Sequence, residues 1–232
     1  MAGCAELPLG WIAWTGKLPN GRTVQNSGAV QKSFTLETPR GPAGIQLTDP
    51  AGPPSSLLVL GHGAGGGTNA PDLTKIHDTA VAAGLRVALV TQPYRMAGRK
   101  APAPAAHLDE AWTLVVAHLK QPGLPLILGG RSSGARVACR TAKPLGAAGV
   151  LALAFPLHPP GKPEKSRADE LPREIPTLVV NGDRDPFGVP DGGGSVEVVI
   201  RPGATHDLRK DLAGTASVVL SWLATNHWTN TV

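Results

Sequence analysis

Five residues in the middle of the chain have the types and spacing needed to hold a nucleophile. They read Gly130-Arg131-Ser132-Ser133-Gly134 and fit the pattern G-x-S-x-G. A serine on a sharp turn between a strand and a helix needs small neighbours two residues away, because the strand and the helix nearly touch there. Ser132 holds the central position, whereas Ser133 would need glycine at position 131 and finds arginine. The pattern predicts that Ser132 attacks an electrophile and that Ser133 contributes a backbone N–H; a helix-capping serine in a glycine turn is the alternative.

Two later loops carry the partners that a serine nucleophile needs. NGDRDPFG (181–188) follows an apolar run, and an acid there can hold and orient an imidazole. Asp185 is the expected acid and Asp183 the runner-up, while a plain Asp-Pro turn is the alternative interpretation. His206 lies in PGATHDL (202–208), after another apolar run. Serine, acid and histidine thus follow strands in the order that a triad on an α/β sheet shows.

A glycine-rich stretch, GHGAGGG (61–67), follows an earlier apolar run. Such a turn lets backbone N–H groups point at a developing oxyanion, and the Ala64 amide is the expected donor beside that of Ser133. A phosphate-binding loop is the competing interpretation. It is disfavoured because no Lys-Ser/Thr follows the glycines and no acidic residue ends the next strand. His62 is expected to shape this loop, since His206 already serves for proton transfer.

Weaker signals follow two other apolar runs. Tyr94 and Arg95 come just after RVALVTQ (86–92) and are candidate pocket residues that would favour an anionic or polar acyl group. A solvated basic loop is the alternative for the same residues. His158 would line the pocket or cap a turn. No cluster of His, Asp and Glu has metal-ligand spacing, so neither a metal nor a cofactor is expected.

Alternating strands and helices must position these residues. Strands are predicted at 33–38, 43–48, 56–63, 86–92, 125–130, 149–155, 176–182 and 195–200, and helices at 71–84, 107–120, 134–142 and 207–225. Continuous Val/Leu/Ile runs are typical of strands buried on both faces of a parallel sheet. We predict an α/β fold: a mostly parallel central sheet with helices on both faces, begun by an antiparallel hairpin.

The expected domain organisation is simple. Residues 1–32 form an irregular lead-in, and residues 33–232 form a single domain. The polar connection over residues 158–174 is too short to be a separate lid domain.

Composition excludes several function classes. The chain has 232 residues with 22 Lys and Arg against 17 Asp and Glu, but the basic residues are scattered and no aromatic–basic stripe appears. Nucleic-acid binding is therefore not expected. Cys4 and Cys139 are far apart and favour a reducing compartment. No apolar run reaches transmembrane length, so the expectation is a cytoplasmic protein without a membrane partner, acting on a small-molecule substrate.

Together, GHGAGG, GGRSSGAR, NGDRDPFG and PGATHDL resemble the α/β-hydrolase superfamily over roughly residues 33–225. The resemblance is to its small, capless branch, close to dienelactone-hydrolase-like proteins and to testis-expressed-protein-like predicted serine hydrolases. It implies an α/β-hydrolase fold without a lid domain and a catalytic triad of Ser132, Asp185 and His206. Dienelactone hydrolases use a cysteine nucleophile, so the serine in this chain is a departure from them.

The function implied by this resemblance is a serine hydrolase that forms an acyl-enzyme with a small, soluble ester. Thioesters, amides and lactones remain alternatives to the ester. Because a related pattern also occurs in a subunit of a chromatin acetyltransferase complex, a non-catalytic scaffold is the second hypothesis. The intact set of three triad residues favours the enzyme.

Overall fold

A computed structural model describes residues 24–26 and 28–230 of the chain, and its strands form one sheet. The strands are β1 (Val24–Asn26), β2 (Ala29–Leu36), β3 (Ala43–Asp49), β4 (Leu57–Gly61), β5 (Arg86–Thr91), β6 (Leu126–Arg131), β7 (Gly149–Leu153), β8 (Thr177–Gly182) and β9 (Val196–Arg201). The α-helices are α1 (Pro71–Ala82), α2 (Pro93–Met96), α3 (Ala105–Leu119), α4 (Ser133–Leu145) and α5 (Leu212–Thr225).

The order of the strands places a crevice at the middle of the sheet. That order is β1-β2-β3-β5-β4-β6-β7-β8-β9; β4 to β9 run parallel, and β1, β2 and β3 form the antiparallel part. Because β5 and β6 lie on opposite sides of β4, the order reverses there, which is where open α/β sheets bind ligands. The predicted fold class, including the antiparallel hairpin, is confirmed.

The apolar runs become strands because both of their faces are buried. In β4, Leu57 and Val59 belong to one hydrophobic core, while Leu58 and Leu60 belong to the other. Side chains that alternate along a strand point to opposite faces, so a strand between two helical layers must be apolar at every position. Continuous runs, rather than alternating ones, were therefore the right signal for the central strands.

Helices cover both faces of this sheet. One core receives Trp112 and Val115 of α3 together with Ala138 of α4. The other core receives Ile76 of α1 and Trp222 of α5. The sheet is thus the middle of three layers, and only its edges and the loops at the strand ends remain accessible for chemistry.

The N-terminal part differs from the sequence prediction. Residues 1–23 and 27 of the expected irregular lead-in lie outside the described residues, as do 231–232. In the described part, residues 24–26 form β1, and β2 begins at Ala29 rather than at the predicted Ser33. The full length of β2 is hard to recognise from the sequence, because the strand lies near the edge of the sheet and its side chains are half-buried or exposed.

The connection between β7 and β8 contains one short 3-10 turn, Ala168–Glu170, and no lid domain is inserted within residues 28–230. Over the same described ranges, no helix combines the length and apolarity needed to cross a membrane.

Candidate active site

The predicted triad residues and the glycine-rich loop follow four strands whose carboxyl ends lie at one edge of the sheet. β4 and β6 are adjacent, with Gly61 paired to Gly130, so the glycine-rich loop and the G-x-S-x-G turn are neighbours. The loop after β8 carries Asp185, and the segment after β9 carries His206. Parallel strands that end at a common edge bring together residues that are far apart in sequence.

Ser132 lies on a strained turn between β6 and α4. Its φ is 53° and its ψ is −111°, a backbone conformation that residues other than glycine rarely adopt. Its N–H donates to the carbonyl oxygen of Leu153 at 2.9 Å, which ties the turn to β7. Helix α4 starts at Ser133, so the N–H of Ser133 lies in the first turn of a helix, where amides have no intrahelical acceptor.

The two glycines of the motif are required by the close approach of β4. A Cβ built on Gly130 would lie 2.5 Å from the carbonyl oxygen of Gly61. A Cβ on Gly134 would lie 2.9 Å from the carbonyl oxygen of His62 and 2.5 Å from the carbonyl carbon of Gly61. Both obstacles are backbone, which cannot rotate away as a side chain can. The steric argument made for the motif from sequence therefore applies at both positions.

Ser132, His206 and Asp185 form an unbroken line of hydrogen bonds. Nδ1 of His206 lies 2.7 Å from Oδ2 of Asp185, and Nε2 lies 2.8 Å from Oγ of Ser132. Because a carboxylate only accepts, the imidazole proton is on Nδ1, and Nε2 is free to accept from the serine hydroxyl. The side chain of Asp185 is fully buried, and that of His206 is 19% exposed. A hydroxyl held in this way can lose its proton to the imidazole as it attacks.

The loop after β8 also distinguishes its two aspartates. Oδ1 of Asp185 accepts the N–H of Phe187 at 2.9 Å, so both carboxylate oxygens have donors. The exposed Asp183 instead accepts the N–H of Gly203 at 2.6 Å. The ring of Phe187 lies against the His206 ring, with the centroids 4.2 Å apart. Asp185 and not Asp183 is therefore in contact with the imidazole.

His62 is buried beneath the glycine-rich loop. Its Nδ1–H donates to the carbonyl of Gly63 at 2.8 Å, and its Nε2 accepts the N–H of Gln92 at 3.1 Å. Burial lowers the pKa of His62, which favours the neutral ring that these two bonds require. Both nitrogens are occupied by backbone groups, so the ring holds the loop and has no free nitrogen for proton transfer.

Tyr94 supports the same loop from below. Its hydroxyl donates to the carbonyl oxygen of Ala64 at 2.7 Å, and its ring lies 5.8 Å from that of His62. Burial raises the pKa of Tyr94, so the phenol stays protonated and able to donate. On its other side, Tyr94 borders an open cavity of about 380 Å³ whose walls include Arg40 and Arg99.

The two remaining candidate pocket residues lie beside the site, each held by backbone. Arg95, in α2, donates from Nη1 to the carbonyl oxygen of Arg99 at 3.0 Å. Nδ1 of His158 lies 2.9 Å from the carbonyl oxygen of Pro159, and its ring packs on Gly188 of the acid loop. His158 therefore supports the loop that carries Asp185.

Three residues at the site were missed from sequence. Phe187 stacks on His206, and Asn181, which is fully buried, joins the acid loop to the end of β7 through Phe155. Arg131 was treated only as the residue between two motif positions, yet it donates to the carbonyl oxygen of His206. A charged residue at the end of a buried strand was the available signal for Arg131. Among the described residues, no group of three or more His, Cys, Asp and Glu could hold a metal ion.

Comparison with known proteins gives one family and several similar folds. A family model described as an alpha/beta hydrolase domain matches residues 54–211. No curated protein sequence matches the chain. A lidless α/β serine hydrolase from Xanthomonas campestris superposes with a TM-score of 0.71 at 18% identity, covering 87% of this chain and 96% of that one.

Two further solved structures have the same fold. An α/β serine hydrolase homologue from Coxiella burnetii has a TM-score of 0.68 at 20% identity, over 82% of this chain and 95% of its own. A dienelactone hydrolase from Anabaena variabilis has a TM-score of 0.66 at 19% identity, over 88% of this chain and 100% of its own.

Proposed function

Since the chain belongs to the α/β hydrolase domain family, we propose that it is a serine hydrolase that cleaves small, soluble esters through an acyl-enzyme. The observation that carries this proposal is the line of hydrogen bonds from Ser132 through His206 to Asp185. The strained backbone of Ser132 supports it as well, because such conformations persist mainly where function requires them.

In the proposed first step, Oγ of Ser132 attacks the carbonyl carbon of the ester while its proton passes to Nε2 of His206. The Asp185 carboxylate stabilises the imidazolium that forms. The negative charge that develops on the carbonyl oxygen is held by the amides of Ala64 and Ser133. When the tetrahedral intermediate collapses, the alcohol leaves with the proton from Nε2.

In the second step, water takes the place of the alcohol. His206 accepts a proton from the water as the water attacks the acyl carbon, and the returning proton releases Ser132 and a carboxylic acid. The absence of a lid within the described residues supports small or water-soluble substrates over long-chain lipids.

A covalent label tests the proposal directly. A fluorophosphonate probe should label the wild-type protein, and Ser132→Ala should abolish the labelling. Ser133→Ala is the matched control. It also removes one side-chain hydroxyl, but the proposed mechanism uses only the backbone N–H of Ser133. Hydrolysis of p-nitrophenyl esters of increasing chain length should be fastest for the short acyl groups.

Two results would contradict the proposal in different ways. If the folded wild-type protein neither reacts with the probe nor hydrolyses any ester, the chain is not a serine hydrolase and the scaffold hypothesis replaces it. If Ser132→Ala is still labelled, only the identity of the nucleophile is wrong.

A further inference from the structure

One arginine contacts three of the segments that form the site. Nη2 of Arg131, the residue before Ser132, donates to the backbone carbonyl oxygen of His206 at 3.2 Å. Its Nη1 would lie 3.2 Å from a Cβ on Gly63, so the guanidinium packs against the glycine-rich loop. Its Nε lies 3.1 Å from Oδ2 of Asp72, in the first turn of α1. The guanidinium is thus a junction between the serine turn, the histidine loop and the glycine-rich loop.

The pair of Arg131 and Asp72 is almost removed from solvent. The side chains are 17% and 1% exposed, respectively. Nε and Oδ2 do not meet the angular requirement of a hydrogen bond, so their contact is an ion pair held by charge and burial. Burial raises the pKa of Asp72, and the charge of Arg131 opposes that rise. A buried cation needs such a counter-charge, because an unpaired one is costly.

On the basis of the proposed function, we infer that Arg131 and Asp72 are a positioning pair for His206. The hydrogen bond from Arg131 fixes the backbone of His206 relative to the residue next to Ser132. The carboxylate of Asp72 anchors the guanidinium on α1 and balances its charge. Neither residue touches the substrate.

The two roles can be tested separately. Loss of Arg131 removes the hydrogen bond to the His206 backbone, which lowers the rate at every pH. Loss of Asp72 leaves that bond in place but frees the guanidinium from α1, so it lowers the rate by a smaller factor. Because Asp72 acts through Arg131, its loss should add nothing once Arg131 is gone.

The experiment uses the full chain and four variants. Arg131→Gln, Asp72→Asn and the double variant are compared with the wild type. Arg209→Gln is the matched control. Arg209 is also a cation close to His206 in the chain, but its side chain is 66% exposed and pairs with Asp207. The second-order rate of fluorophosphonate labelling is measured against pH, thermal unfolding reports folding, and NMR reports the environment of the His206 imidazole at one fixed pH.

The expected pattern differs from one variant to the next. Arg131→Gln should lower the plateau of the labelling rate by roughly 10- to 100-fold and should shift the imidazole resonances of His206, as expected when a reacting group is misplaced. Asp72→Asn should lower the plateau by a smaller factor. The double variant should have the plateau of Arg131→Gln, and Arg209→Gln should match the wild type in plateau.

The outcomes that overturn the inference are equally distinct. A folded Arg131→Gln protein with the wild-type plateau would overturn the inference, and a folded Asp72→Asn protein with the wild-type plateau would remove Asp72 from it. If Arg131→Gln fails to fold, Arg131→Lys, which keeps the charge but not the fork of donors, must show the low plateau. If the wild type itself is not labelled, the proposed function fails, and the NMR spectra still decide whether loss of Arg131 or Asp72 displaces His206.

Discussion

Gly134 packs directly against the end of β4, and its replacement by alanine tests how closely β4 and α4 must approach. The new Cβ would lie 2.5 Å from the carbonyl carbon of Gly61 and 2.9 Å from the carbonyl oxygen of His62. Carbon atoms need more than 3 Å from such neighbours, so the end of β4 and the first turn of α4 must separate by about 1 Å. This separation would displace the glycine-rich loop from Ser132.

Two energetic effects of Gly134→Ala oppose each other. Alanine favours the helix over glycine by about 1 kcal/mol, whereas overpacking of a close-packed interior costs about 1–3 kcal/mol. The free energy of unfolding should therefore fall only slightly, by about 0–2 kcal/mol. Catalysis is more sensitive, because a shift of about 1 Å in a group that holds the transition state can cost on the order of 100-fold in kcat.

The assay compares kcat for a p-nitrophenyl ester with urea denaturation of the same protein. Gly52→Ala is the matched control, since a Cβ on Gly52 would have no atom within 4 Å. We expect Gly134→Ala to lose activity while still folding, and Gly52→Ala to keep the wild-type kcat. A Gly134→Ala enzyme with unchanged kcat would refute the steric reasoning.

Two further changes test the acid loop and the core. Asp185→Asn should lower kcat on the order of 10⁴-fold, because an amide oxygen cannot stabilise the imidazolium as a carboxylate does. Asp183→Asn, which changes the exposed acceptor of the Gly203 N–H, should keep nearly full ester hydrolysis. Equal losses of kcat in the two variants would contradict the assignment of Asp185. Burial raises the pKa of the Cys139 thiol from 9.0 to about 12, so the unfolded thiol ionises first. The free energy of unfolding should then fall above about pH 9 by up to about 1.4 kcal/mol per pH unit. Urea denaturation of Cys139→Ala should show a shallower decline with pH. The same decline in both proteins would exclude the thiol as its cause.

Much of the fold could be predicted because its signals are local. Strands such as β4 and β7 are apolar at nearly every position, and glycine or proline marks the loops that follow them. The prediction missed β1 and the start of β2, which lies near the sheet edge and carries half-buried and exposed side chains. Backbone pairing of β2 with β1 and β3, rather than side-chain burial, determines the structure there.

The sequence alone determined which residues could meet. Small residues around Ser132, an acid loop and a histidine loop follow apolar runs, and the topology of a parallel sheet brings the ends of such runs to one edge. Only the tertiary structure decided which atoms touch: Asp185 rather than Asp183 reaches the imidazole, and Arg131 bonds to the His206 backbone while pairing with Asp72. The physical reason is range. Strand and turn patterns arise from neighbours along the chain, whereas a hydrogen bond depends on a few tenths of an ångström between loops brought together by the packed sheet.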